Sequence, residues 1–75
     1  MFKTFNNILV LYFYNPPVFY KYFSHVFKYN VSEYLDSNNN ILMLEVFNFN
    51  PSDIADLKQQ YPQYKYWEEL TRAFN

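Results

Sequence analysis

The sequence predicts a small α+β domain, in which helices cover one face of a three-stranded sheet and the elements follow the order β-α-β-β-α-α. Two apolar runs, at 8–14 and 41–47, are typical of buried strands. Two Asn-Pro pairs, at 15–16 and 50–51, are typical of helix starts, because Asn caps a helix and Pro is tolerated at its first position. A chain of 75 residues is short for more than one core, so a single compact domain over 1–75 is expected.

The first half of the chain is predicted to form one strand and one helix. The strand covers 8–14, where every residue is β-branched, aromatic or leucine, and it ends at Asn15. The helix begins at Pro16 and continues from Val18 to Tyr29, because polar residues recur there at three- and four-residue steps. Its polar side would carry Lys21, Ser24, His25 and Lys28.

The second half is predicted to contain two strands followed by two helices. Residues 31–36 fit either a strand or a short helical turn, and we assign them to the second strand of the sheet. The asparagines at 38–40 predict a hairpin turn into the 41–47 strand, which is expected at the centre of a sheet with the order 1-3-2. A helix that begins at 50–51 is expected to end at Pro62, and a last helix follows. The apolar stripe of that last helix contains Trp67, Leu70 and Phe74.

Composition excludes several kinds of chemistry. The chain has no glycine, so phosphate-cradling loops and nucleophile elbows, which need positive φ or close backbone approach, are not expected. It has no cysteine, which excludes disulfides, thiolate catalysis and cysteine metal sites and fits a reducing, cytoplasmic compartment. The one histidine, His25, is predicted between Lys21 and Lys28 on a polar helix side, without a carboxylate partner. We therefore expect no enzymatic activity, no cofactor and no metal site.

Aromatic residues dominate the chain, with nine Phe, nine Tyr and one Trp. AT-rich codon usage explains much of this count, but a domain of this size cannot bury every ring. Because surface aromatics are enriched at protein interfaces, we predict a partner-binding surface on the aromatic and acidic C-terminal helix. The predicted surface comprises Tyr61, Tyr64, Tyr66, Trp67, Glu68 and Glu69. For Trp67 the competing, favoured assignment is core packing with Leu70 and Phe74.

A second interpretation is single-stranded nucleic-acid binding. A lysine lies between two aromatic residues in each of the triplets 20–22, 27–29 and 64–66, and such rings stack on bases while ammonium groups meet phosphates. Against this interpretation, the chain has six cations and seven anions, whereas nucleic-acid affinity depends mainly on phosphate neutralisation. The lysines of this alternative are Lys21, Lys28 and Lys65.

The sequence therefore favours a small cytoplasmic protein that acts by stoichiometric binding to another protein. We expect an inhibitor or modulator of the anti-defence type, encoded by a phage or mobile element, that occludes a site on a host protein such as a nucleic-acid-processing enzyme. An antitoxin or immunity protein that blocks a toxin is an alternative, and homodimer formation is left open. No targeting segment or membrane span is expected, because the 8–14 run is far shorter than the ~20 residues of a transmembrane helix.

Overall fold

The computed structural model describes residues 1–14, 19, 22–26 and 30–74. Within these ranges the backbone forms five strands, one 3-10 turn and two α-helices. The elements are β1 (Phe2–Phe5), β2 (Ile8–Tyr12), β3 (Tyr22–Val26), β4 (Val31–Leu35), β5 (Ile41–Val46), the 3-10 turn (Pro51–Asp53), α1 (Ile54–Gln60) and α2 (Trp67–Ala73). The strands form one antiparallel sheet in the order β1-β2-β5-β4-β3. Strands β2 to β5 therefore follow a Greek-key order.

The predicted three-stranded sheet with the order 1-3-2 is wrong, although the α+β class holds. Two further strands, β1 and β3, pair with the outer edges of β2 and β4. The three predicted strand segments correspond to β2, β4 and β5, and β5 lies at the centre of the five-stranded order. Strand β1 was missed because Phe2–Phe5 is short and carries Lys and Thr, which weakens the apolar signal of a strand.

The predicted helix over 18–29 is contradicted where the structure describes it, because 22–26 is the strand β3. Its expected start at Asn15 and Pro16 and most of its other positions fall outside the described residues. The sequence of β3 fits a period of two as well as a helical period, since aromatic residues are frequent throughout. Aromatic side chains favour a pleated surface, and β4 supplies main-chain partners along the whole of β3. Pairing within the sheet therefore decides the conformation.

Asparagine occupies the left-handed backbone positions that glycine takes in other proteins. Asn6 and Asn7 have φ of 48° and 66° and form the two-residue turn between β1 and β2. Their positive φ values fit a type I′ hairpin turn. Asn tolerates this region better than other side chains because its short amide bonds locally to the backbone. The other described residues with positive φ are Asn30, Asn39 and Asn48.

Strand register assigns every sheet residue to one of two faces, because directly opposed partners point to the same side. On the first face, one row contains Phe2, Leu11, Leu44, Glu33 and Ser24. On the opposite face, one row contains Lys3, Val10, Glu45, Ser32 and His25, and the next contains Tyr12, Met43, Tyr34 and Phe23. Leu11 and Leu44 belong to the core shared with the helices. The first face is therefore the helix-covered face.

Both helices pack on this first face, but they are shorter than predicted. The start at Asn50 is confirmed, since its side chain accepts from Ser52 N while the Asp53 side chain accepts from Asn50 N. This capping box satisfies amide groups that the helix start would otherwise leave unpaired. α2 begins at Trp67 and not at Pro62. The helices bury Ile54, Leu57, Trp67 and Leu70 against Leu9, Leu11, Val31, Leu44 and Val46 of the sheet.

The turn between β1 and β2, where Asn7 has a left-handed conformation, allows a direct test of the fold. Asn7→Ala is expected to lower the free energy of unfolding by about 1 kcal/mol, because alanine has no local amide contact to offset the steric cost of positive φ. A domain of this size would then melt roughly 4–8 °C lower. Asn7→Gly should be at least as stable as the wild type, and Asn38→Ala should change stability by less than about 0.5 kcal/mol. Urea denaturation measures all three variants, and wild-type stability of Asn7→Ala would contradict the assignment.

Candidate functional site

The C-terminal segment predicted to bind a partner contributes much of its aromatic surface to the core. The side chains of Tyr61, Tyr64 and Trp67 are buried. The remaining positions of the predicted surface are the half-buried Tyr66 and the exposed Glu68 and Glu69. Tyr66 also packs its ring at 5.7 Å from the ring of Tyr64. A partner that docks on this segment would therefore meet two carboxylates and the edge of one aromatic ring.

The polar ends of the buried aromatics tie the helices to the rest of the fold. Tyr61 Oη donates to Glu33 Oε2 at 2.6 Å, and Trp67 Nε1 donates to the carbonyl oxygen of Tyr61 at 2.8 Å. Tyr64 Oη donates to the carbonyl oxygen of Met1 at 2.9 Å. Buried Tyr and Trp usually find such partners, because an unpaired polar group in the core is costly. The three side chains thus connect the helix layer with β4 and with the N-terminus.

The lysines of the nucleic-acid interpretation do not form one described patch. Lys65 is exposed, whereas Lys21 and Lys28 lie outside the described residues. The two aromatic neighbours of Lys65 in sequence are the buried Tyr64 and the half-buried Tyr66, so neither presents a free ring face beside the ammonium group. Stacking on a base next to Lys65 would have to use rings from elsewhere in the chain.

The face of the sheet opposite the helices is the main candidate site, and we call its two rows the open face. Val10 and Ser32 of this face are buried, and its exposed part lies toward the edge strands. Its aromatic row contains Tyr12, Met43, Tyr34 and Phe23. Phe23, on the edge strand β3, is 58% exposed. Its ring lies 5.3 Å from that of Tyr34 in an edge-on arrangement, which is a favoured geometry for aromatic pairs. The row therefore presents a ring that is exposed and held in place.

The polar row of the open face is internally paired. Tyr34 Oη donates to Glu45 Oε1, and His25 Nδ1 is hydrogen-bonded to Ser32 Oγ at 3.1 Å. The Lys3 ammonium group lies 5.7 Å from the centre of the Tyr12 ring, within cation–π range. Lys3 and Glu45 carry opposite formal charges, so these rows have no strong electrostatic preference of either sign.

This arrangement suits contact recognition better than catalysis. The His25–Ser32 pair has the atoms of a nucleophile and a base, but Ser32 is 2% exposed, so its hydroxyl lacks the access to substrate that acyl transfer needs. Across the described ranges, no group of three or more His, Asp or Glu side chains is placed to hold a metal ion. The exposed Phe23 ring makes part of this face apolar and aromatic.

The open face was not predicted, because His25 was expected on the polar side of a helix. The signal was present as the alternation of Phe23 and His25, which places both side chains on one side of a strand. This alternation is recognised as that of a strand only once Val31–Leu35 is known to pair with it. The two strands are neighbours in the chain, but the composition of 22–26 alone does not distinguish a strand from a helix.

No protein-family model, curated protein or solved structure matches this chain. Neither helix in the described part of the chain is long and apolar enough to cross a membrane. The case for a function therefore rests on the geometry and charge of the chain itself.

The buried Tyr64 hydroxyl predicts a specific loss of stability at alkaline pH. Burial, followed by the nearby Tyr66 and Glu69, raises the pKa of Tyr64 well above its usual value of 10. Above about pH 10 the unfolded chain loses this proton while the folded chain keeps it. Stability is thus fully present below pH 10 and falls as pH rises, by up to about 1.4 kcal/mol per pH unit for this one proton.

Tyr64→Phe should flatten this alkaline fall measured by urea denaturation from about pH 9 to 11.5. At neutral pH the same variant should lose about 1 kcal/mol with its hydrogen bond to Met1. Tyr22→Phe is the matched control, since Tyr22 is exposed and the wild-type pH dependence should be retained. Equal pH dependence of the Tyr64 variant and the wild type would contradict the burial of this hydroxyl.

Proposed function

We propose that this chain is a non-catalytic binding module that uses its open face to cover a site on a partner protein. The observation that carries the proposal is the exposed Phe23 ring, which is held edge-on against Tyr34 on the face opposite α1 and α2. Exposed aromatic rings beside methionine are the composition in which interfaces are enriched. Here Phe23 supplies the anchor, and the adjoining Tyr34 and Met43 supply the surrounding contact area.

Fixed side chains favour this use of the open face. Tyr34 is held by the Phe23 ring on one side and by its hydrogen bond to Glu45 on the other. His25 is hydrogen-bonded to Ser32. A partner that docks here orders few side chains on binding, and each rotamer-rich side chain that needs no ordering saves about 0.5–1.5 kcal/mol.

Charge favours a protein partner over a nucleic acid. Within the two rows of the open face, Lys3 is the sole lysine and Glu45 offsets its charge. Nucleic-acid binding requires several phosphate contacts by cations and weakens steeply with salt. A charge-balanced aromatic face is better matched to an apolar patch with a few hydrogen-bonding groups. Binding should therefore depend weakly on salt.

Occlusion is the mechanism that this face supports. The serine of the described open face is buried, and the side chains that remain accessible there can cover a partner's site by contact. An inhibitor or modulator of a host enzyme, as the sequence suggests, would act in this way. The exposed carboxylates of Glu68 and Glu69 lie on α2, on the other side of the sheet from Phe23. A partner on the open face therefore leaves them free.

Affinity capture with single-residue variants tests this proposal. The tagged wild type is expected to retain one stoichiometric, nuclease-resistant protein from lysate of a low-GC bacterium. Phe23→Ala should weaken that complex at least about tenfold, which is a loss of about 1.4 kcal/mol at an anchor position. Tyr14→Ala is the matched control, because Tyr14 is also an exposed aromatic but lies beyond the end of β2. Circular dichroism checks that both variants keep the fold.

Three results would contradict the proposal. The complex could survive Phe23→Ala and be lost when Glu68 and Glu69 are both changed to Gln, which would place the partner on α2. The captured protein could disappear after nuclease treatment. The wild type could retain nucleic acid and no protein, which would favour the aromatic–lysine interpretation instead.

A further inference from the structure

A depression of about 380 Å³ lies at the end of the sheet where β2 finishes and β5 begins. Three segments that are distant in sequence meet there: the residues after β2, the β4–β5 turn and the connection between α1 and α2. Its volume is within the roughly 300–1,000 Å³ of small-molecule sites. The lining residues are Phe13, Tyr14, Asn39, Asn40, Ile41, Gln63 and Lys65.

Aromatic rings form one side of the depression. Phe13 is fixed by the Tyr64 ring, whose centre lies 5.2 Å away, and by a main-chain hydrogen bond from its N to the Leu42 carbonyl oxygen at 3.1 Å. Tyr14 is 48% exposed and offers ring surface to a ligand. A planar ring that enters the depression can therefore stack on an aromatic side chain, as bases do on protein aromatics.

Polar groups on the other side are available to a ligand. The Lys65 ammonium group has no carboxylate within 4.0 Å in the described part of the chain, where the recorded ion pair is Arg72–Glu69. The side-chain amides of Asn39 and Gln63 make no hydrogen bond to another described residue. Side-chain amides form hydrogen bonds with the donor and acceptor groups on the edge of a base, and an ammonium group binds phosphate as a point charge.

The Asp36 carboxylate lies in the β4–β5 turn and is already hydrogen-bonded, whereas Glu68 and Glu69 line a different depression together with Lys65. Asp36 accepts hydrogen bonds from the backbone N of Asn38 and Asn40 at 2.8 and 2.9 Å, and from Asn40 Nδ2 at 3.0 Å. These bonds hold the pKa of Asp36 below its usual value and fix the β4–β5 turn. Asp36 is not among the residues that line the depression. Its charge therefore shapes the turn and does not compete with a ligand for Lys65.

We propose that this depression binds a nucleotide, with the base against Tyr14, the base edge at Asn39 and Gln63, and the phosphate at Lys65. Tyr14 and Lys65 line the same depression, whereas the sequence suggested that Lys65 acts with Tyr64 and Tyr66. The ligand is a free mononucleotide or one nucleotide of a single strand, since both present the same base and phosphate.

The test is an NMR titration of the full chain with AMP, adenosine, inorganic phosphate and a short oligothymidine. AMP should shift the resonances of Tyr14, Asn39 and Lys65 saturably, and adenosine and phosphate should each bind at least about tenfold more weakly. Lys65→Met should weaken AMP binding about tenfold. Lys58→Met is its matched control, because Lys58 is an exposed lysine on α1 that does not line the depression. Tyr14→Ala should likewise weaken AMP binding, and Phe19→Ala is its control, since Phe19 is 96% exposed and does not line the depression.

The outcomes separate the sources of the ligand and the two proposals. Tighter binding of the oligothymidine at the same resonances identifies a single strand, and AMP binding alone identifies a free nucleotide. No saturable shift with either ligand up to about 10 mM, or shifts confined to other residues, overturns the site. Equal effects of Lys65→Met and Lys58→Met also overturn it. Phe23→Ala should leave nucleotide binding unchanged, so this inference and the proposed protein interface can fail independently.

Discussion

The fold depends on asparagine residues that turn a glycine-free chain through left-handed backbone conformations. Asn7, Asn30 and Asn48 come together at one end of the sheet, where Phe49 N donates to the Asn7 carbonyl oxygen and Asn30 Nδ2 donates to that of Phe47. These turns fix the register of the hairpins. A shift of one residue would exchange the faces of a whole strand, so the turns also determine which aromatics reach solvent.

The register of the strands determines which side chains of the sheet lie in the core and which lie at the surface. The helices cover the face that carries Leu11 and Leu44, and the tyrosines and the tryptophan of the helix layer find partners for their polar ends. Rings with polar tips can fill a small core because each tip reaches a carbonyl or carboxylate near the edge of the core. Phe23 of β3 lies on the opposite face, which has no such layer in the described part of the chain. Its exposure follows from strand register and not from composition.

Local signals predicted some elements and failed at others for identifiable reasons. The capping box at Asn50 and Asp53 is entirely local, and the structure confirms it. The segment 22–26 satisfies two periodicities, and its conformation is decided by pairing with the next strand, β4, which the composition of the segment itself does not show. Similarly, large aromatic residues such as Trp67 and Tyr64 are typical both of a buried core and of a protein interface, so their type alone does not distinguish the two. Position in the fold was needed to show that they are buried.

The same reasoning explains why the two candidate surfaces have different chemistry. On the open face, charged and polar groups are neighbours across strands, so Glu45, Ser32 and His25 satisfy partners within the sheet and the face is left aromatic and charge-balanced. At the end of the sheet, backbone turns replace strand pairing, and Lys65, Asn39 and Gln63 project without cross-strand neighbours. Strand pairing therefore satisfies the polar side chains of the open face, whereas the polar side chains at the sheet end remain available to a ligand. We therefore propose apolar recognition for the open face and recognition of a charged ligand for the sheet end.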